Sequence, residues 1–304
     1  MRTDFAVRLE GIRKDYGTKI AVDALDLQVP RATISGLLGP NGAGKTTTIR
    51  IILDIIGADR GSVEVLGGPL TSDTRNRIGY LPEERGLYPK MKVLELLVFL
   101  GELKKTSRRL ANQRAMAWLE RLDLGAWAER RVDELSRGMQ QKVQFIGTVL
   151  HEPELLILDE PFTGLDPLNV DILKDIVLEQ RARGSTVLFS THNMDQAERL
   201  CERVVMIKDA RKVLDGPLTE IKRQAWLEGK RHIILAVEGE DGFLNDRTLI
   251  ERVERRGTHV AVALHEGIEP QRLLEAAVEA GVTIKRFEVS EPSLHEIFVA
   301  RARD

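Results

Sequence analysis

The stretch "ATISGLLGPNGAGKTTTIRIILDII", Ala32 to Ile56, decides the fold class. An apolar run leads into a glycine-rich turn, and apolar residues at helical spacing continue from Lys45. Within it "GPNGAGKT", Gly39 to Thr46, satisfies G-x-x-x-x-G-K-[ST] at every position, with a strand before it and a helix after it. Gly39, Gly42 and Gly44 have no Cβ, so the backbone can wrap an anion with its N–H groups pointing inward. Pro40, Asn41 and Ala43 fill the remaining turns of this phosphate cradle, and Thr47 follows it. The pattern places Lys45 to reach the β- and γ-phosphates of a bound nucleotide, and the Thr46 hydroxyl to take a Mg²⁺ position.

Working outward, "LLILDE" (155–160) supplies a second half to such a site. Four apolar residues put this strand in a core, and Asp159 emerges at its end, where a carboxylate can hold Mg²⁺ through water. Glu160 comes next and would face the γ-phosphate as general base for an attacking water. "STVLFSTH" (185–192) is another buried strand, reached through a helix in "VDILKDIVLEQRARG", and "RVVMIKDARKVLDG" reads as a hairpin. Residues 1 to about 30 read as short strands with alternating apolar positions. From Pro89 to about Arg131 the pattern turns helical, with Leu94, Leu97, Val98, Trp118, Leu119 and Leu122 at helical spacing. Strands alternating with helices predict an α/β fold, a mostly parallel sheet with helices packed on it.

After Gly216-Pro217 the character changes. "RHIILAVEG", "THVAVALHE" and "TIKRFEVSE" read as strands, interleaved with helical "DRTLIERVERR" and "PQRLLEAAVEAG" and closed by the helix "SLHEIFVARAR". The expected division is therefore 1–220 and a small α+β domain over 221–304. His232, His259, His265 and His295 are scattered there without metal-ligand spacing.

Composition narrows the function classes. The chain has 304 residues, 42% of them hydrophobic and 30% charged, which is ample material for a core and too much for disorder. Lys and Arg total 45 against 47 Asp and Glu, so there is no electrostatic case for nucleic acid or a lipid surface. A single cysteine, Cys201, excludes an intramolecular disulfide and fits a small buried side chain on an amphipathic helix. "MRTDFAVRLE" has charges where an export signal needs an apolar centre, and "VLELLVFL" is far shorter than the ~20 residues that span a bilayer.

One motif is left over. "LSRGMQQK", Leu135 to Lys142, opens a helix with a serine and a glycine, a start suited to an anion because its first N–H groups have no partner inside the helix. Taken in order, "GPNGAGKTT", "LSRGMQQK", "LLILDEPFTGLDP" and "STH" resemble the ATP-binding subunits of ABC transporters. The resemblance covers about residues 5–220. It implies a P-loop ABC-type ATPase core with antiparallel N-terminal strands and a helical subdomain at about 86–135. It also implies a head-to-tail dimer in which each ATP lies between one subunit's cradle and the other's signature helix. Ser136, Gly138 and Gln140 would then touch a nucleotide held by the partner. Tyr16 matches the aromatic residue that stacks on adenine, Asp166 the loop that crosses the dimer interface, and His192 the histidine that contacts the γ-phosphate.

The resemblance has one departure. The family usually carries glutamine on the loop joining core to helical subdomain, where "IGYLPEERGLYP" places Glu83, an acceptor for a metal-bound water. "LPEERGLYPKM" and the "SLHEIF" tail resemble a subgroup similar to sodium-efflux and drug-resistance ATPases. That subgroup implies ATP and Mg²⁺ as cofactors, and a homodimer or a pair with a related ATPase subunit. It further implies a separately encoded transmembrane permease of the exporter type, with the chain on the inner, cytoplasmic face of the membrane. "EERGLYPKM" is the candidate surface for that permease. A rival reading, a soluble ABC-type ATPase acting on ribosomes or nucleic-acid complexes, fits less well. The chain has one cassette half, no sustained heptads and no basic stripe. A P-loop kinase or GTPase would leave the second phosphate-binding helix unexplained.

Overall fold

The computed structural model describes residues 4–84, 86–227, 232–257, 259–265 and 267–301. The chain divides into two compact units, Met1–Asp215 and Gly216–Asp304. In the first, the alternating apolar positions near the N-terminus become β1 (Phe5–Asp15) and β2 (Ile20–Pro30), an antiparallel pair. The decisive stretch follows as β3 (Ile34–Leu38), the cradle and α1 (Lys45–Ile52). The helix is shorter than its apolar run, because Asp54 takes a left-handed φ of 53° and the chain turns toward β4 (Arg60–Val65). β4 pairs with β1 and completes a three-stranded antiparallel sheet, β2-β1-β4.

The main sheet is assembled from distant parts of the chain. After α2 (Ser72–Asn76) and β5 (Ile78–Leu81) come α3 (Val93–Leu103), α4 (Arg108–Arg121) and α5 (Arg137–Val149). Then follow β6 (Leu155–Asp159), α6 (Pro167–Ala182), β7 (Thr186–Thr191), α7 (Met194–Leu200), β8 (Arg203–Lys208) and β9 (Arg211–Pro217). Strand order is β5-β6-β7-β3-β8-β9, with the pairs β5–β6, β6–β7, β7–β3 and β3–β8 parallel. Every residue of β3, β6 and β7 is buried, as expected of parallel strands covered on both faces. The hairpin β8–β9 turns on Asp209 and Ala210, both at positive φ. Cys201 lies at the end of α7, buried, and burial pushes its thiol well above the usual range.

Packing at the sheet centre sets the stability of this unit. Phe189 on β7 is 1% exposed and meets Phe162 edge to face at 6.2 Å. Phe189→Ala is expected to cost about 3–5 kcal/mol, because the rigid strands on either side cannot collapse into the cavity. Urea unfolding monitored by circular dichroism checks this, and a loss below ~1 kcal/mol would show a looser core than the burial indicates.

The second unit holds α8 (Leu218–Leu227) and β10 (His232–Glu238), then β11 (Ile250–Arg256) and β12 (His259–Leu264). α9 (Pro270–Glu279), β13 (Thr283–Ser290) and α10 (Leu294–Arg301) complete it. Its antiparallel sheet runs β11-β12-β10-β13, around a core of Ile233, Leu235, Val260, Val262 and Leu264, with Leu273 of α9. One expectation is corrected here: "DRTLIERVERR" contains the strand β11 and not a helix. Ile250 and Val253 are three apart, which reads as helical. The pairing Ile250↔Leu264, Arg252↔Ala263, Val253↔Val262 contains an extra residue on β11, and this bulge returns both side chains to the face above the core.

Candidate functional site

The C-terminal ends of β3, β5, β6 and β7 lie at one edge of the main sheet, where parallel α/β sheets place their ligand sites. The cradle leaves β3 and turns through glycines, and at two of them a Cβ would run into backbone. Gly44 has φ 113°, and a Cβ there would lie 2.3 Å from the Ala21 carbonyl oxygen; at Gly39 it would lie 2.1 Å from that of Ile207. Lys45, 6% exposed, donates from Nζ to the carbonyls of Gly39 at 2.8 Å and Pro40 at 3.3 Å. Asn41, Gly42, Gly44, Lys45, Thr46 and Thr47 line a cleft of about 370 Å³, together with Tyr16, Lys19, Glu83 and Glu160. Gly39, Pro40 and Ala43 do not line it.

The two carboxylates at the end of β6 face different partners. Glu160 is 7% exposed and sits 3.4 Å from Lys45 Nζ, with His192 Nδ1 at 3.0 Å from the same Oε1. It is held at φ 49°, a left-handed backbone that a non-glycine residue adopts only when its surroundings enforce it. Asp159 accepts a hydrogen bond on Oδ1 from the Ser190 hydroxyl, while its Oδ2 is buried with no partner among the described residues. His192 is half-exposed at the end of β7, so its ring reaches both Glu160 and solvent. The constellation can take a proton on Glu160 and pass it toward an imidazole.

A neighbouring cleft of about 260 Å³ is lined by Thr46, Arg50, Tyr80, Glu83, Glu84 and Asp159. Thr46 and Glu83 are common to both clefts. Burial, with the Asp159 carboxylate nearby, pushes the Tyr80 phenol up to about 12, so it stays protonated and neutral beside the acids. The donor set suits a hard divalent cation: a hydroxyl at Thr46, carboxylates at Glu83 and Asp159, and a buried carboxylate oxygen that nothing among the described residues satisfies.

Tyr16 lies at the cleft mouth, 54% exposed, with Lys14 Nζ 5.6 Å from its ring centre and its backbone N–H bonded to Lys19 O. An exposed flat ring at the entrance can take a base on its free face. Lys19 Nζ donates to Gly42 O at 3.1 Å and adds a cation to that end. Sequence reading misses Lys19, Arg50 and Tyr80, which only folding brings to the clefts, and it passes over the contact that Ser190 of "STH" makes with Asp159.

Ser136, Gly138, Gln140 and Asp166 line neither cleft. Ser136 is the exposed N-cap of α5 and accepts from Met139 N at 3.3 Å. A Cβ at Gly138 would meet only Leu165, at 3.9 Å, so that helix start is open. The Gln140 side-chain amide is committed to the carbonyls of Val132 and Leu135 in its own chain, a looping role for which the motif offers no sign. Asp166 caps α6, and hydrogen bonds from Asn169 hold its carboxyl below the usual range. α5 also reaches the loops after β5 and β6: Gln141 donates to Pro161 O at 3.3 Å and Gln144 to Glu84 O at 3.4 Å. Arg85, within the surface expected to meet a permease, lies outside the described residues.

Known proteins resemble this chain in sequence and in fold. Residues 22–163 match the family profile "ABC transporter", and residues 216–302 match "ATP-binding protein DrrA1-3-like, C-terminal domain". The chain is 42% identical to the ABC transporter ATP-binding protein YhaQ of Bacillus subtilis (strain 168), covering 96% of this chain and 97% of that one. It is 32% identical to the daunorubicin resistance ATP-binding protein DrrA3 of Streptomyces coeruleorubidus, covering 97% and 95%. Among solved structures, an ATP-binding subunit of an ABC transporter superposes with a TM-score of 0.69 at 32% identity, over 74% of this chain and 95% of that one.

Proposed function

This chain belongs to the ABC transporter ATP-binding proteins, a family whose cassettes bind and hydrolyse ATP to drive transport, and from that premise we propose how it works. Two copies, or this chain and a related ATPase subunit, close around two ATP molecules and drive a separately encoded permease of the exporter type. Tyr16 stacks on the adenine, and the cradle from Gly39 to Thr47 holds the phosphates. Glu160 takes the proton of the attacking water, and His192 orients the γ-phosphate against it. Thr46, Glu83 and Asp159 hold Mg²⁺, which supplies charge neutralisation to the phosphates. The chain works at the inner face of the membrane through its permease; among the described residues no helix is long and apolar enough to cross a bilayer.

The observation that carries the dimer is the place of α5. Its N-terminus is open, exposed and suited to an anion, yet Ser136 and Gly138 line neither cleft of their own chain. A phosphate on that helix therefore comes from a second molecule's cradle. In the partner's site, Asp166 would cross the interface, and Gln140 would act by shaping the loop before α5. Resemblance to a drug-resistance ATPase over nearly the whole chain supports export as the direction of transport.

Mass measurement in solution tests the pairing. With ATP and Mg²⁺, Glu160→Gln protein is expected to run as a dimer. Adding Gly138→Glu, which puts a negative charge at the helix start, is expected to leave monomers that still bind ATP in their own cleft. Dimers surviving that charge would place the contact elsewhere. Purifying tagged Glu160→Gln protein from its native cells in mild detergent is expected to recover a polytopic membrane protein. Ribosomes in its place would move the function to the soluble class.

A further inference from the structure

Ser190 joins the two carboxylates, and the "STH" stretch that contains it gave a role to His192 alone. It is fully buried on β7, directly opposite Asp159 in the parallel register between β6 and β7. Its hydroxyl donates to Asp159 Oδ1 and accepts from the backbone N–H of Glu160 at 3.2 Å. The same N–H also points at the Ser190 carbonyl oxygen, 3.2 Å away. One residue thus holds a side chain of one acid and the backbone of the next.

We propose that Ser190 is a positioning residue for ATP hydrolysis, setting the geometry of both Asp159 and Glu160. On the first acid, the hydroxyl occupies Oδ1 and leaves Oδ2, the buried and unpartnered oxygen, as the one available to a cation and its waters. Without that anchor the carboxylate is free to rotate about χ2 and share its charge between two directions. On the second, two acceptors grip the N–H of a residue whose left-handed backbone is strained. That grip keeps the Glu160 side chain aimed between Lys45 and His192. A serine is suited to this place because a hydroxyl can donate and accept at once, which alanine and valine cannot do.

The inference rests on the reading of Glu160 as base and Asp159 as metal carboxylate, so Glu160→Gln is measured beside it. In Ser190→Ala, kcat is expected to fall about 10–100-fold, the usual cost of losing an outer partner of a metal ligand. ATP affinity measured by fluorescence in EDTA is expected to stay as in the unaltered chain, while the gain in affinity on adding Mg²⁺ shrinks. Ser190→Thr, which restores the hydroxyl, is expected to recover both. If Ser190→Ala does not fold, Ser190→Cys is carried through the same measurements with its weaker donor. A kcat within about threefold of the unaltered chain, with the Mg²⁺ gain intact, overturns the proposal. So does a lost kcat with an unchanged Mg²⁺ gain that threonine fails to restore, since that describes packing alone. If Glu160→Gln hydrolyses ATP normally, the underlying assignment fails instead, and the two failures are told apart.

Discussion

Glu160→Gln is expected to lower kcat for ATP hydrolysis by about 10²–10⁴-fold while leaving ATP bound, the range lost when a positioned general base is removed. The substitution is nearly isosteric, and the amide oxygen can still accept from Lys45 and His192, whose nitrogens lie 3.4 and 3.0 Å from Glu160 Oε1. What disappears is the ability to take a proton from water. The variant also removes one negative charge from a buried place that must accommodate phosphate, so affinity for ATP should rise slightly if it moves at all. Phosphate release and equilibrium ATP binding, measured on the same preparation, separate chemistry from binding. Hydrolysis within about tenfold of the unaltered chain would leave His192 or another group as the base.

Gly44→Ala is expected to destabilise the first unit by about 3 kcal/mol and to weaken ATP binding at least roughly tenfold. Two costs add. At φ 113° an alanine pays for a backbone that L-residues rarely adopt, and its Cβ would sit 2.3 Å from the Ala21 carbonyl on β2. Relief requires β2 and the cradle to move apart, which also displaces the N–H groups at the start of α1 that phosphate needs. Two other glycines calibrate the result. Gly42→Ala meets open space apart from Lys19 Nζ at 3.5 Å and carries only the strain of φ 77°, about 1–2 kcal/mol. At Gly57 a Cβ meets nothing, and alanine is expected to change stability by less than about 0.5 kcal/mol. Urea unfolding of the three variants gives the order; a Gly44→Ala protein as stable as Gly57→Ala would mean the clash is absorbed by a local shift.

Much of this site is legible because its chemistry is local. The cradle needs glycines and a lysine within eight consecutive positions, and the strand-end acids follow four apolar residues, so both stand in one unbroken stretch of chain. The histidine at 192 and the serine N-cap at 136 are marked in the same way, each at the end or start of an element. The gap left between β2 and the helices, where β4 and β5 form, has no such mark: β4 is mostly exposed and β5 has only four residues. β11 misleads outright, since a bulge gives a strand the three-residue apolar spacing of a helix.

By itself, then, the sequence determined the α/β class, the cradle, the acids at the end of β6 and the presence of a second helix start suited to an anion. Each of these is a pattern between near neighbours, enforced by backbone geometry and by burial of one face. Tertiary structure alone decided that Ser190 clamps Asp159 and Glu160 across two strands, and that Glu83 is shared between two clefts. It alone decided that Ser136 and Gly138 line neither cleft of their own chain. These facts depend on strand register and on which loops meet at the sheet edge. They arise between residues thirty or more positions apart, where hydrophobic periodicity carries no information about the partner.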